Sequence, residues 1–169
     1  MIDKNSAFID YILQCPQIVN SPLYFNFINA KDNNTQIITN SDDRSISRPY
    51  IDGSVKRRYT FTIVQFKSIT DIPIVKFPTI GTSTSESTFS NENVDDLADM
   101  QALIDWISEQ EDLHNYPNFG DNCEIDEIRT TTDSPRFDGI NTEINPNLAM
   151  YSIDIEIEYR DTSKVIWNR

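Results

Sequence analysis

The sequence predicts an α+β domain: an antiparallel sheet of about four to five strands, two helices packed on one face, and long inter-strand loops. Three observations carry this. Two segments, Ser54–Ser68 and Leu148–Tyr159, alternate apolar and polar residues with the period of a strand. One long segment, Asn91–Glu111, and one short one, Ser6–Cys15, repeat their apolar residues with the period of a helix. The helices do not alternate strictly with strands, so a doubly wound parallel sheet is not indicated.

In chain order, Phe8, Ile9, Ile12 and Leu13 give the first helix its stripe, and Pro16 stops it. Leu23 to Ala30 reads as a strand with Leu23, Phe25 and Phe27 on one face. Lys31 to Asn34 is a turn, Gln36 to Thr39 a short strand, and Ser41 to Ser47 a polar loop. Asp52-Gly53 marks a turn into the long strand Ser54–Ser68. There Val55, Tyr59, Phe61 and Ile63 share one parity, and Lys56, Arg58, Thr60 and Thr62 the other. Val64 and Phe66 break the pattern, as a bulge or a second buried face does. Ile69 to Ser90 carries broken apolar residues and then a polar run, and reads as an arm that orders on a partner.

The main helix has Val94, Leu97, Ala98, Ile104 and Ile107 in its stripe, widened by Met100 and Leu103, with Trp106 near the edge. Ser90, Asn91 or Asn93 is available to cap it, and Asp95 and Asp96 sit where the helix dipole favours acids. Cys123 to Thr131 is a strand of imperfect alternation, and Thr132 to Asn147 a long polar loop. In the last strand Tyr151, Ile153, Ile155, Ile157 and Tyr159 face a core, while Ser152, Asp154, Glu156 and Glu158 face water.

At 169 residues with 38% hydrophobic and 11% aromatic content, the chain is one domain with enough apolar material for a core, which speaks against wholesale disorder. A net charge of −13 argues against a general nucleic-acid binder, which needs a basic stripe. No apolar run approaches a membrane span, and the first residues lack the pattern of a secretory signal. Cys15 and Cys123 are far apart and read as two free thiols in a reducing cytosol. Four glycines make no phosphate loop, and neither GxSxG nor HExxH occurs. His114, the one imidazole, reads as a surface residue at a helix C-terminus. The carboxylates of Glu109 to Asp112 and Glu124 to Glu127 read as solvated faces, and Asp121 to Asp126 lacks the spacing and glycine of a calcium loop. No catalytic residue, cofactor or metal site is expected.

The charge is unevenly placed. Phe77 to Ile128 holds thirteen acids and no Lys or Arg, leaving 14 acids against 14 bases elsewhere. Upstream, Arg44, Arg48, Lys56, Arg57, Arg58, Lys67 and Lys76 form a basic counterpart. Such regions pair within one chain, or between copies arranged head to tail.

The features recur in a recognisable order. A helix runs into Cys15-Pro16, and an early strand follows. Then come the turn Tyr50-Ile-Asp-Gly-Ser54, a long strand Arg58 to Ile63, a helix opening at Asn91-Glu-Asn and containing Trp106-Ile107, then Tyr116-Pro, Cys123-Glu-Ile and a final strand Met150 to Tyr159. This resembles the minor capsid or tail-terminator family of long-tailed bacteriophages. The likeness spans residues 1–160 as a single domain and leaves 161–169 as a C-terminal tail whose Val165, Ile166 and Trp167 call for a strand or a partner. The segment 70–90 and the loop 132–147 are long for the family.

The resemblance implies a non-enzymatic virion protein made in the host bacterial cytoplasm. It implies a homo-oligomeric ring, usually a hexamer, at the head-proximal end of the tail tube. Such a ring stops tube polymerisation and joins the tail tube protein to the head–tail connector. Genomic DNA passes through its lumen without specific binding, and no membrane is involved. Ile72, Ile74, Phe77, Phe89, Phe137 and Ile140 are the expected subunit or tube contacts. Asp95, Asp96, Asp99, Glu109 and Asp112 are the expected acidic lumen lining, which repels phosphates. The alternatives are a head-completion or stopper protein of the same junction, and a small-molecule-binding domain.

Overall fold

Two 14-residue antiparallel strands, Val55–Ser68 (β4) and Leu148–Asp161 (β7), form the centre of the molecule, paired in an unbroken register from Val55↔Asp161 to Ser68↔Leu148. The structure, a computed structural model, describes residues 3–18, 21–40, 46–68, 92–140 and 148–163, with only the backbone of 46–48 and 92–96. Among these residues the order is α1 (Lys4–Ile12), β1 (Leu23–Phe25), β2 (Thr35–Thr39), β3 (Ile46–Pro49), β4, α2 (Glu92–Asp112), β5 (Cys123–Thr130), β6 (Arg136–Ile140) and β7.

Among the described residues the sheet has seven strands but is only five wide. β2 and β3 share one edge of β4, and β5 and β6 share the outer edge of β7. The pairing is antiparallel except between β1 and β2. The α+β class and the mostly antiparallel sheet are as the sequence predicts. The strands beyond the expected count are β3, which begins at the end of the loop assigned to 41–47 and runs past it, and β6, a short piece inside the loop assigned to 132–147. The predicted strand at Leu23–Ala30 stops at Phe25, because Asn26 turns left-handed (φ 48°) and its side chain binds the Thr39 N–H at 3.0 Å.

One face of the sheet is apolar, and both helices cover it. The register aligns Ile37, Ile63 and Ile153 in one row, and Phe61 with Ile155 in the next. Phe8, Tyr11 and Ile12 of α1 and Met100, Leu103, Ile104 and Ile107 of α2 join them in one core. Phe8 stacks on Phe61 with ring centroids 3.6 Å apart. Each such buried side chain contributes about 1.5–3 kcal/mol through removal of apolar surface from water.

The helix ends differ from expectation for local reasons. α1 starts at Lys4 rather than Ser6, because the Asp3 carboxylate accepts from the Asn5 N–H (3.2 Å) and the Ser6 hydroxyl (2.9 Å) as an N-cap. It ends early because Pro16 disfavours helical backbone at Cys15. The last turn tightens instead, with Gln14 N–H on Tyr11 O and Cys15 N–H on Ile12 O. α2 closes without glycine. His114 is left-handed (φ 53°), its N–H bonds Glu111 O, and the Asn115 N–H reaches Gln110 O, which satisfies the last carbonyls. In the α2 stripe, Ala98 is exposed, contrary to the periodicity, and the described core positions are Met100, Leu103, Ile104 and Ile107.

Val64 and Phe66 mark a second buried face, since β4 has no register shift against β7. They pack with Leu148, Ala30, Ile38 and Met150 on the side away from the helices. The imperfect alternation of β5 is a bulge between Ile125 and Glu127.

Candidate functional site

The face of the sheet opposite the helices carries a ladder of ion pairs. The sequence pattern assigns Ser152, Asp154, Glu156 and Glu158 to water. In the fold Ser152 and Glu156 are buried and the other two half-buried. Arg58 on β4 and Arg129 on β5 close over Glu156 from both sides, at 3.1 and 2.5 Å. Arg58 also reaches Glu158 at 3.1 Å, and Lys56 pairs with the same carboxylate. Arg136 on β6 binds Asp154 at 3.0 Å and Asp138 at 2.7 Å. The hydrogen bond from Lys56 holds the Glu158 carboxyl below its ordinary range, and Glu158 in turn raises Lys56. Hydrogen bonding to Glu156 raises Arg129.

The described cations of the basic stretch are engaged in ion pairs, and the side chains of Arg44, Arg48 and Lys76 lie outside the described residues. Lys56 and Arg58 pair with β7, and Arg57 binds Asp161 at 3.0 Å. Among the described residues only two ion pairs join that stretch to the acidic window: Lys67–Asp99 at 3.3 Å and Lys56–Asp126 at 3.9 Å. The described cations of that stretch thus pair mainly within the sheet, with Glu156, Glu158 and Asp161 of β7, rather than with the acidic window.

Most acids of the window whose side chains are described therefore have no ion pair among the described residues, the paired ones being Asp99, Asp126 and Glu127. Asp105, Glu109 and Asp112 are all exposed on α2. They follow i, i+4, i+7 spacing, so they form one ridge on the side away from Met100, Leu103, Ile104 and Ile107. None of the three has an ion pair among the described residues, and α2 has no basic residue in its last turn. Like charges at i, i+4 work against the helix by a few tenths of a kcal/mol.

Of the residues expected to line a lumen, Glu109 and Asp112 lie on this ridge. Asp105 joins them and was not singled out by sequence, though its spacing to Glu109 is the available signal. Asp99 lies off the ridge, held by Lys67. Asp95 and Asp96 are in α2, with side chains outside the described residues.

Of the expected contact residues, Phe137 and Ile140 are exposed on β6, at 57% and 46%. The Phe137 ring packs partly on Tyr151, with centroids 5.5 Å apart. Ile72, Ile74, Phe77 and Phe89 lie outside the described residues, as does the whole of the 70–90 segment. Sequence reasoning missed Ile51, which is fully exposed at the β3–β4 turn. That turn is stiff. Asp52 accepts from the Ser54 N–H at 2.9 Å and from Arg160, whose guanidinium lies 5.0 Å from the Tyr50 ring. Phe27 and Ile28, past the end of β1, are also exposed.

The remaining polar groups are struts. Glu111 accepts the Ile128 N–H at 2.8 Å and the Tyr116 hydroxyl at 3.2 Å, which ties α2 to β5. His114 Nδ1 is 3.1 Å from the same Tyr116 oxygen. Cys15 is buried, Cys123 is half-buried, both are free, and burial pushes both thiols up, away from nucleophilic thiolate. Among the described residues no three His, Cys, Asp or Glu side chains are grouped to hold a metal ion. No helix there is long and apolar enough to cross a membrane. No protein-family model matches the chain, and no curated protein matches it.

Proposed function

We propose that the chain is a structural subunit of a phage head–tail junction, a tail terminator that assembles as a ring on the head-proximal end of the tail tube. The observation that carries this reading is the uncompensated acid ridge of α2. The fold supplies cations to β7 and leaves Asp105, Glu109 and Asp112 facing solvent without one among the described residues. Such a ridge costs the helix stability, so a role outside the fold accounts for it best. Turned toward a lumen and repeated by each copy, it keeps DNA phosphates from adhering within a Debye length of about 8–10 Å. The exposed apolar side chains Phe137, Ile140 and Ile51 supply contact surface for neighbours. The order of motifs along residues 1–160 supports the same role.

The test is reconstitution. Purified chain is mixed separately with tails lacking a terminator and with DNA-filled heads, and infectious particles are counted after the other half is added. Restoration through the tails is expected. Restoration through the heads identifies a stopper instead. A ligand-dependent rise in Tm of a strictly monomeric chain, with no restoration, points to a small-molecule-binding domain.

A further inference from the structure

We propose that opposite edges of the sheet form one contact between copies of this chain. In it the β1–β2 connection of one copy, with Phe27, Ile28 and Lys31, seats on β6 of the next, with Phe137, Ile140 and the preceding Asp133. This rests on the ring reading and names the surfaces that the ring joins. Phe27 and Ile28 are 60% and 59% exposed, and Phe137 and Ile140 are exposed as well. The register sets the two patches apart. One cross-strand row runs Leu23↔Thr35↔Gln65↔Tyr151↔Phe137, from β1 through β2, β4 and β7 to β6. Four sheet spacings separate its ends by about 19 Å. Among the described residues β1 and β6 each pair on one side only. Two unlike patches on opposite edges accept one neighbour each, which is a head-to-tail contact.

Both patches are held in shape before any contact. The Asn26 N–H bonds Ile37 O at 2.9 Å, and the Asn26 side chain accepts from the Thr39 N–H at 3.0 Å and donates to the Thr39 hydroxyl at 3.1 Å. That fixes the backbone just before Phe27, whose ring lies 6.0 Å from that of Tyr24. At the other edge the Phe137 ring rests on Tyr151. Little ordering is left to be lost on association. Each patch sets an aromatic ring beside an isoleucine, and aromatic side chains are enriched at the centres of interfaces.

Charge selects the pairing. Lys31 is exposed with no ion pair among the described residues, and its neighbour Asp32 is taken up by the Ser68 N–H at 2.8 Å. Asp133 is also exposed with no ion pair among the described residues, while Arg136 and Asp138 of β6 bind each other at 2.7 Å. Either patch set against its own twin brings two lysines or two aspartates together. Set against the other patch, it brings a lysine to an aspartate. Like-charge repulsion thus rejects the two-fold contacts and leaves the head-to-tail one.

The experiment uses Phe27→Cys and Ile140→Cys chains, purified separately and treated with a short bismaleimide, alone and mixed, in solution and on tail tubes. Cys15 and Cys123 are common to every arm and set the background. Cross-linked dimer in the mixture at least tenfold above either variant alone is expected. Lys31→Glu or Asp133→Lys, carried by both members of the mixture, lowers that yield severalfold, and the two changes together restore it. Capped tubes without excess dimer in the mixture overturn the proposal and leave the ring reading standing. Excess dimer in the mixture with uncapped tubes supports the contact and counts against the ring reading. Uncapped tubes with no excess dimer in either setting overturn both. Should a cysteine variant fail to fold, the charge variants are read by tube length alone. Each single reversal lengthens the tubes and the double reversal shortens them again, and equal lengths for all three overturn the proposal.

Discussion

Phe61 joins the first helix to the central strands through its ring contacts. It is fully buried, stacks on Phe8, and meets Tyr59 edge-on with centroids 4.7 Å apart. Phe61→Ala removes a ring that links α1 to the central strands. It is expected to cost about 3–5 kcal/mol in urea unfolding. A loss below 1 kcal/mol shows that α1 does not depend on this contact. Glu158 gives a pH test. Its folded carboxyl titrates below the ordinary Glu value, so its stabilisation is complete above about pH 4.3 and is lost as pH falls through the lowered folded value. Glu158→Gln is therefore expected to lower Tm at pH 7, with the gap to the unsubstituted chain closing below about pH 4. A gap that stays constant with pH contradicts the ladder's role.

At the scale of elements, β4 and β7 hold each other along their whole length, while β1, β3 and β6 each have one short paired edge. Amide exchange is expected to be slowest in the middle of β4 and β7 and fastest in β1, β3 and β6. Early exchange in the central pair contradicts this ordering. The long elements were legible because their periods persist over many residues. β3 and β6 were not, because four and five residues without strong alternation look like the loops around them. The end of β1 was hidden by Asn26, whose left-handed turn depends on Thr39, 13 residues away. The polar face of β7 was legible as charged but not as buried. Its burial depends on Arg58 and Arg129, which are distant in sequence and adjacent only through register.

For the whole molecule, the uneven charge was legible from composition, but its division was not. Which cations are spent and which acids remain follows from strand pairing, and only the folded chain brings Lys56 and Arg58 beside β7. Asp105, Glu109 and Asp112 then stand out as the ridge that the fold leaves unused. Glu109→Lys places a cation four residues after Asp105. It is expected to raise stability by about 0.2–0.5 kcal/mol and yet reduce joining of tails to heads. Stability and joining rising together removes the reason for assigning the ridge a role. The most direct measurement is the length of tail tubes grown from purified tube protein with and without this chain, imaged by electron microscopy. A ring subunit caps one end of each tube and holds the tubes short. Tubes of unchanged length with bare ends contradict the proposed function.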